Sequence, residues 1–399
     1  MITVEQALQL VLSRTLPKET ERIDLHLSVG RVLAETIRAD RDAPPFDRVA
    51  MDGIALQAEA LQRQEAFKIE NIQAAGAPQA VLNDPANCIE VMTGAVLPAH
   101  TDCVIPYEQI ELRDGYAFPL SKEHIAGQNV HPQGKDAKRG EEILAYGKVI
   151  SPAVVAVLAS VGRAQVAVMK PPTIAICSTG DELVDVADTP MPHQIRKSNA
   201  AMIQAALLEF GLQPALFHLP DNKVEIVKQL SAMVNNYSVL LFSGAVSKGR
   251  YDFLPEVLTA LGMEKHFHGV AQRPGKPFLF GTLRDSLIFG FPGNPASTFV
   301  CFQRFFIPWL KQQMEMPNPS LSAVLGSQVL FRPPLTYHLL VRLEVIEGRL
   351  TALPVPHSGS GDLVHLAEAD AVMSLPPGKE HFDAGEVYPL KLIKKDLFY

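Results

Sequence analysis

A chain of 399 residues with 47% hydrophobic composition can bury sizeable cores and is long enough for about two to four domains. Its 36 basic and 43 acidic residues give a formal charge of −7, and no basic tail or stripe is present, which argues against a nucleic-acid-binding protein. The longest apolar run, around Ala153 to Ala159, is too short to span a membrane, and the amino terminus lacks a signal-peptide pattern. We therefore expect a cytoplasmic protein that binds neither nucleic acid nor membrane.

The first part of the chain predicts one short helix followed by a mainly β module. Val4 to Ser13 has the apolar spacing of an amphipathic helix, and Ala43 to Asp47 then breaks the pattern. From there to about Gly140 the sequence is rich in turns and short β runs such as Asp102 to Ile105. Ser151 to Val161 is apolar and alanine-rich and predicts a second helix.

After Lys170 the pattern changes to alternating strands and helices, which predicts a largely parallel sheet covered on both faces. The predicted elements are a strand Thr173 to Cys177, a helix from the N-cap Ser198 to Phe210, a strand Ala215 to Leu219, a helix Lys223 to Met233, a strand Val239 to Phe242, a helix Leu254 to Leu261, a strand Leu287 to Phe289 and a long aromatic helix Pro295 to Met314. This region is the candidate catalytic domain.

A small β domain is predicted at the end of the chain. Pro317 and Pro319 mark a linker, and three strands follow, at Tyr337 to Val345, Arg349 to Val355 and Val387 to Ile393. Four cysteines are widely separated, with no zinc-type spacing, and we expect buried thiols: Cys88, Cys103, Cys177 and Cys301.

The segment Ser178 to Leu183 follows the predicted strand Thr173 to Cys177 directly and carries two hydroxyls, a glycine and two carboxylates. Ligands of open α/β sheets bind at the carboxyl ends of the strands, so this segment is a candidate site. The spacing of Thr179 and Glu182 also fits a capping box that leads into a helix and needs no ligand. The two interpretations remain open on these residues alone.

Three further glycine turns follow strands of the same region, at Ser243 to Ser247, Arg273 to Pro277 and Pro292 to Ser297. Such turns let backbone amides approach a phosphate or another oxyanion. Arg273 and Lys276 flank Pro274-Gly275, so that turn would present two cations. The alternative is ordinary strand-to-helix connection with solvated surface charge.

Carboxylates also recur in glycine-containing segments, where turn capping is their alternative role. They are Asp52, Asp136, Asp181, Glu182 and Asp252. If they converge on an anionic ligand, each pair of like charges at 4 Å costs about 4 kcal/mol, and a magnesium ion would relieve that repulsion. The sequence has no Ser-His-Asp order, Walker loop or GxGxxG, which disfavours acyl transfer, P-loop hydrolysis and dinucleotide binding.

These motifs resemble one known family. Pro44 to Gly53 is similar to the PPFDxSAMDG segment of the molybdopterin molybdenumtransferases, the MoeA and gephyrin E-domain family. Met92 to Ala95, Ser178 to Leu183, Pro274 to Pro277 and Pro292 to Pro295 continue the match in the family's order. The resemblance covers nearly the whole chain.

The resemblance implies a multidomain fold of α/β and β parts in an elongated homodimer. Its domains would be an α/β domain similar to the molybdopterin adenylyltransferase fold (1–19 and 169–316), a discontinuous linking domain (20–44 and 141–168), a mainly β inserted domain (45–140) and a β-barrel-like C-terminal domain (320–399). The opposite subunit would contribute the Asp52 segment to the active site.

The resemblance also implies the reaction. Such an enzyme inserts molybdate into adenylylated molybdopterin, cleaves the pyrophosphate with Mg²⁺, and releases AMP and molybdenum cofactor. Transient contact with molybdopterin adenylyltransferase or apo-molybdoenzymes is a further implication. The alternatives are a non-catalytic molybdopterin-binding scaffold of the same fold and an adenylyltransferase. The 140-residue amino-terminal portion and the terminal β domain argue against the latter.

Residue roles follow from the same resemblance. The acidic set that positions metal and substrate would be Asp52, Asp136, Glu182 and Asp252, with Asp52, Glu182 and Asp252 as metal ligands. Candidate substrate-binding residues are Thr93, Ser178, Thr179, Gly180, Ser243, Gly244, Ser247, Arg273, Lys276, Pro292, Gly293, Asn294, Ser297 and Ser360. Of these, Arg273, Lys276, Ser297 and Ser360 would contact molybdate or phosphate.

The chain departs from the family pattern at a few positions. Ala245 replaces a glycine of the family's SGGVSVG segment, and Lys248 and Arg250 add positive charge there. Arg273 replaces the first lysine of the KPGKP pattern. Leu340 takes the place of a common arginine, and Arg342, two residues on along a strand, is expected to share its face and supply the charge.

Overall fold

The computed structural model describes residues 1–244, 253–356 and 358–393. They form two compact units: a larger unit of Met1–Ile23, Ser28–Val32 and Ala167–Tyr399, and a smaller unit of Asp24–Leu27 and Leu33–Val166. The finer division into four domains stays a prediction. No helix in the described part of the chain has the length and apolarity needed to cross a membrane.

The smaller unit is built on a six-stranded mixed sheet, as the β-rich sequence of this region predicts. In spatial order its strands are Cys103–Pro106, Gly53–Leu56, Asn87–Val91, Phe67–Gln73, Tyr116–Pro119 and Ile110–Arg113. Alternate residues of the central strand Gly53–Leu56 pack into two different apolar clusters, so both faces of the sheet are covered. The predicted helix is present at Pro152–Ser160, and the Ser151 hydroxyl caps it by accepting from Val154 N.

Short elements complete the smaller unit and its connections. Strand pairs form between Arg48–Val49 and Val130–His131 and between Ile37–Arg38 and Glu142–Leu144. The remaining strands are Thr20–Asp24 and Gln165–Met169, and the 3₁₀ turns are Leu25–Leu27, Ala58–Gln62 and Tyr107–Gln109.

The larger unit contains a second six-stranded sheet, hereafter the central sheet. Its strands in spatial order are Ala215–Leu219, Ile174–Thr179, Val239–Ser243, Ser286–Phe291, Leu279–Leu283 and Glu264–His268. The first four strands are parallel, as predicted, and Leu279–Leu283 runs antiparallel to both of its neighbours, Ser286–Phe291 and Glu264–His268. Consecutive residues of Val239–Ser243 enter apolar clusters on opposite faces, which explains why this strand is an uninterrupted apolar run.

Helices cover both faces of the central sheet. They are Val4–Leu12, Ser198–Leu208, Lys223–Met233, Leu254–Ala260, Pro295–Cys301 and Ile307–Gln313. The predicted long aromatic helix is continuous in space but contains a π-helical turn at Phe302–Phe306. Ser198 is the first helical residue and follows Lys197 at the cap position, so the prediction of Ser198 as the N-cap is wrong by one residue.

The last part of the larger unit is a closed five-stranded β-barrel, hereafter the barrel, which confirms the predicted barrel-like domain. Its strands are Leu321–Leu325, Thr336–Ile346, Arg349–Pro354, Ala371–Leu375 and Val387–Leu392. Pairing of Thr336–Ile346 with Ala371–Leu375 closes it. The short strand Gln272–Arg273 pairs with the start of Thr336–Ile346, so the glycine turn that follows Arg273 lies against the barrel.

The other short pairs are Leu183–Val184 with Ile195–Arg196 and Val329–Leu330 with His381–Phe382, and His365–Glu368 is a 3₁₀ turn.

Candidate functional site

The turn after the strand Ile174–Thr179 is held by its neighbours in the central sheet. The buried Thr179 hydroxyl donates to the Ser243 carbonyl at 3.2 Å. The next element is the short strand Leu183–Val184, and the following helix begins only at Ser198. The capping-box interpretation of Thr179 and Glu182 is therefore wrong, because no helix starts there for them to cap.

Gly180 and Gly244 bring the chain into contacts that a side chain would prevent. Gly180 has φ +123°, and a Cβ at this position would collide with the Glu182 carboxylate. Gly244 has φ +96°, and a Cβ there would lie 2.8 Å from Thr179 Oγ1. Both glycines therefore permit the close approach of backbone and side chains at this edge of the sheet.

A cavity of about 610 Å³, hereafter the strand-end cavity, opens at the carboxyl ends of the parallel strands. The predicted site residues that line it are Ser178, Thr179, Glu182, Ser243, Gly244, Gly293 and Asn294. Glu182 is the single carboxylate-bearing residue among the described residues of its wall. Three separate strand-end turns thus meet in one cavity. Gly180 does not line it but lies next to the Glu182 carboxylate.

A second cavity of about 490 Å³, hereafter the cation cavity, lies between the central sheet's loops and the barrel. The predicted site residues in its wall are Arg273, Lys276, Pro292, Asn294, Ser297 and Ser360. Asn294 lines both cavities. Its side-chain amide donates to Ser360 Oγ at 2.8 Å, and Ser360 O accepts from Ala296 N at 3.1 Å. The loop that carries Ser360 is thereby fixed to the start of the helix Pro295–Cys301.

One wall of the cation cavity is apolar. Leu340 is 4% exposed and lines this wall together with Phe331, Leu335 and Tyr337. Arg342 does not line the described wall; it forms a 3.1 Å ion pair with Glu344, and its side chain is 60% exposed. The expectation that Arg342 supplies the charge absent at Leu340 is therefore wrong, because the neighbouring Glu344 binds its guanidinium.

The smaller unit brings two other predicted residues together. Asp52 Oδ1 accepts from Thr93 N at 2.6 Å, and the hydrogen bonds from the Thr93 backbone and side chain hold the pKa of Asp52 below its usual value. Asp136 lies 3.0 Å from His131 Nε2. These contacts order the carboxylates, and their proposed roles in substrate and metal binding stay predictions.

Ser247 and Asp252, as well as the departures Ala245, Lys248 and Arg250, lie outside the described residues. Within the described ranges, no group of three His, Cys, Asp or Glu side chains is close enough to hold a metal ion. The cysteines are buried free thiols, as expected, and burial raises their pKa, to about 12 for Cys88 and about 11 for Cys103. None of the four is poised as a thiolate.

Comparisons with known proteins agree with the motifs. Residues 2–162 match the MoeA N-terminal region (domain I and II), residues 175–312 a probable molybdopterin binding domain, and residues 322–392 the MoeA C-terminal region (domain IV). The chain is 39% identical to a molybdopterin molybdenumtransferase of Synechocystis sp., over 98% of this chain and 99% of that protein. The chain belongs to the molybdopterin molybdenumtransferase family.

More distant members of this family agree. The chain is 32% identical to the molybdopterin molybdenumtransferase of Bacillus subtilis, over 99% of this chain and 95% of that protein. A crystal structure of a MoeA molybdopterin biosynthesis protein from Pyrococcus horikoshii OT3 superposes with a TM-score of 0.82 at 27% identity, over 98% of this chain and all of that chain. The enzyme is thus a transferase of molybdenum cofactor biosynthesis, which confirms the family, fold class and enzyme class predicted from the motifs.

The molybdopterin molybdenumtransferase fold also places residues at the site that the sequence did not single out. Gln194, Arg196, Lys197 and Asn199 line the strand-end cavity. Lys197 donates to Asp185 at 2.7 Å, and this ion pair lowers the pKa of Asp185. Asn199 donates to the Gly293 carbonyl at 2.7 Å. The sequence contained a signal for these residues, because the predicted helix start at Ser198 places a helix N-terminus, and the residues next to it, at the same edge of the sheet.

Proposed function

We propose that this enzyme inserts molybdate into adenylylated molybdopterin and releases AMP and molybdenum cofactor. The observation that supports the proposal is the meeting of two charged cavities at Asn294. The strand-end cavity carries the Glu182 carboxylate together with Arg196 and Lys197, and the cation cavity carries Arg273 and Lys276. A substrate with a diphosphate and an incoming oxyanion needs cations for its charges and a carboxylate that can hold a metal ion.

In this proposal the cation cavity binds the oxyanion. Arg273 and Lys276 attract it, and the hydroxyls of Ser297 and Ser360 donate hydrogen bonds to its oxygens. Gly293 and Gly244 leave the backbone accessible to the substrate in the strand-end cavity. Negative charge develops on the leaving phosphate when the pyrophosphate bond breaks, and hydrogen-bond donors and cations held in fixed positions stabilise it. In this proposal, that electrostatic stabilisation is the main contribution of the site residues to catalysis.

Magnesium is the proposed cofactor. Mg²⁺ is usually bound through one or two carboxylates together with waters and substrate phosphate oxygens, so the single described carboxylate of the strand-end cavity fits it. Glu182 would hold the ion, with Asp252 and Asp52 as the further ligands implied by the family resemblance. When bound, the ion neutralises charge on the phosphate oxygens.

We further propose that the enzyme works in the cytoplasm as a homodimer in which the opposite subunit supplies the Asp52 segment. The buried, free thiols are compatible with a reducing compartment. Mixing the variants Asp52→Asn and Glu182→Gln, each of which is expected to release AMP at least about tenfold more slowly than the wild type, tests the subunit arrangement. If Asp52 acts across the dimer, mixed dimers regain activity, whereas activity that stays low after subunit exchange rejects that arrangement. Contact with molybdopterin adenylyltransferase or apo-molybdoenzymes is part of the same proposal and is tested by pull-down with those proteins.

The proposed reaction is tested by incubating the purified protein with adenylylated molybdopterin, molybdate and Mg²⁺ and measuring AMP. We expect AMP release that depends on molybdate, with a reaction lacking molybdate as the control. Binding of adenylylated molybdopterin without molybdate-dependent AMP release rejects the reaction and favours a non-catalytic molybdopterin-binding scaffold.

A further inference from the structure

A chain of buried polar side chains leads from the barrel to the turn that carries Arg273 and Lys276. Ser374 Oγ lies 3.1 Å from His338 Nδ1, and His338 Nε2 lies 3.0 Å from Gln272 Oε1. Gln272 Nε2 then donates to the Gly275 carbonyl at 3.0 Å. Hereafter the polar chain denotes Ser374, His338 and Gln272.

The hydrogen bonds fix the direction of every donor in the polar chain. A carbonyl oxygen can only accept, so the amide nitrogen of Gln272 must face Gly275 and its oxygen must face His338. His338 Nε2 therefore carries the proton, and Nδ1 accepts from the Ser374 hydroxyl. Burial, reinforced by the positive charge of Arg304, lowers the pKa of His338 well below its usual value, so the ring stays neutral and this pattern persists at neutral pH.

The polar chain lies in an interior where polar groups are costly. Gln272, His338 and Ser374 are 0%, 1% and 8% exposed. Buried polar side chains are tolerated only when their hydrogen bonds are made; here Gln272 and His338 each have a partner on both sides, and the Ser374 hydroxyl is bonded to His338. The three residues therefore act as one connected unit whose free end holds the Gly275 carbonyl.

The polar chain contacts the Arg273 and Lys276 turn at the Gly275 carbonyl. A Cβ on Gly275, which has φ +87°, would collide with Cys301 Sγ and lie 2.9 Å from Gln272 Nε2, so the turn packs directly on these two side chains. Farther along, Lys276 O accepts from Val270 N at 2.9 Å and from Phe278 N at 3.0 Å. Cys301 Sγ also donates to the Gly275 carbonyl, at 3.4 Å, so Gln272 and Cys301 together hold the segment between the two cations, where the flanking backbone bonds do not reach.

We propose that Gln272, oriented by His338 and Ser374, is a positioning residue that fixes the Arg273 and Lys276 turn in the geometry needed to bind the oxyanion substrate. The inference rests on the proposed function, because it takes the oxyanion to be molybdate bound in the cation cavity. Gln272 lines that cavity but is completely buried, so it acts through the turn.

The test compares two glutamine variants. Gln272→Met removes the three hydrogen bonds of the side chain, to the Gly275 carbonyl, Cys301 Sγ and His338 Nε2, while preserving its length. Gln313→Met is the matched control, because Gln313 is also buried and exchanges hydrogen bonds of 2.9 and 3.0 Å with the backbone of Leu16. Both variants are expected to lower the thermal unfolding midpoint.

The two variants are expected to differ in kinetics. Gln272→Met raises the KM for molybdate about five- to tenfold and leaves kcat at saturating molybdate and the KM for adenylylated molybdopterin within about twofold, since one well-oriented hydrogen bond is lost. Gln313→Met changes none of the three. If both variants lower the unfolding midpoint and both leave the KM for molybdate unchanged, the positioning role is rejected.

Two further measurements cover the remaining outcomes. Ser374→Ala removes only the far hydroxyl and is expected to raise the same KM by a smaller factor; it replaces Gln272→Met if that variant does not fold. Hydrogen exchange of the amides in 275–279 needs no substrate and is expected to be faster in Gln272→Met than in the wild type or in Gln313→Met. Unchanged exchange rejects the inference even if the wild-type protein releases no AMP, an outcome that by itself rejects only the proposed function.

Discussion

Replacement of Gly180 by alanine is expected to strain the backbone of the strand-end turn and also to displace the Glu182 carboxylate. A control variant distinguishes the effect of the strain from the effect of the displacement. With φ at +123°, Gly180 has a backbone conformation that costs an L-residue about 1–3 kcal/mol. A Cβ would also lie 2.7 Å from Glu182 Cδ, closer than carbon atoms approach in folded proteins. Glu182 is exposed, and its carboxylate is at the end of a flexible side chain. The carboxylate can therefore move away from the new methyl group at little further cost in stability.

Gly211→Ala is the matched control, since Gly211 has φ +73° and open space around the new methyl group. Both variants are expected to lower the thermal unfolding midpoint by a comparable amount. In Gly180→Ala alone, AMP release falls at least about tenfold, which corresponds to about 1.4 kcal/mol of transition-state stabilisation, and half-maximal rate requires more Mg²⁺. Wild-type turnover and magnesium dependence in Gly180→Ala would refute the placement of Glu182 as a metal ligand.

Three further changes have defined expectations. Asp52→Asn preserves the oxygen that accepts from Thr93 N and removes only its charge, which lowers the unfolding midpoint slightly, while AMP release falls at least about tenfold; unchanged turnover shows that Asp52 binds neither substrate nor metal. Lys276→Ala removes one of two cations from the cation cavity and is expected to raise the KM for molybdate about tenfold, and an unchanged KM contradicts oxyanion binding there. The pKa of Glu70 is lowered to about 2, chiefly by the hydrogen bond from the Asn83 backbone, so its stabilising effect is complete above its unfolded value near 4.5 and is lost as the pH falls towards 2. Glu70→Gln should therefore lower the unfolding midpoint at pH 7 and have little effect near pH 2, as measured by thermal unfolding at the two pH values.

The parallel part of the central sheet could be predicted because each of its elements carries a local signal. The strand Ala215–Leu219 and the helix Lys223–Met233 have the predicted bounds, and the Asn222 side chain marks the helix start by accepting from two backbone amides. The antiparallel strands Glu264–His268 and Leu279–Leu283 were not predicted. Their pairing places them at the sheet edge, and hydrophobic periodicity carries no information about direction.

Part of the candidate site could likewise be predicted from the sequence, and part could not. Ser178 and Ser243 were both predicted as substrate-binding residues, and both line the strand-end cavity, because the parallel strands that carry them end at one edge of the sheet. Gln272 and His338 gave no signal, since their hydrogen bonds form only when the barrel packs against the turn. The failure of Arg342 to replace the charge absent at Leu340 has a similar cause, because residue spacing fixes a strand face but not the ion pair with Glu344.

In the proposed function, the arrangement of charges around Asn294 would let one site hold both a carboxylate and anionic substrates. A carboxylate next to an oxyanion at 4 Å costs about 4 kcal/mol at an effective dielectric of 20. Glu182 lines the strand-end cavity, where Lys197 is already paired with Asp185, whereas Arg273 and Lys276 line the cation cavity. Among the described residues the two walls share Asn294, a neutral amide. In the proposed function, an oxyanion beside Arg273 and Lys276 would therefore gain their attraction, while the Glu182 carboxylate would hold the metal ion. The hydrogen bond from Asn294 to Ser360 fixes the boundary between the two cavities, because it joins the strand-end turn to the loop from the barrel.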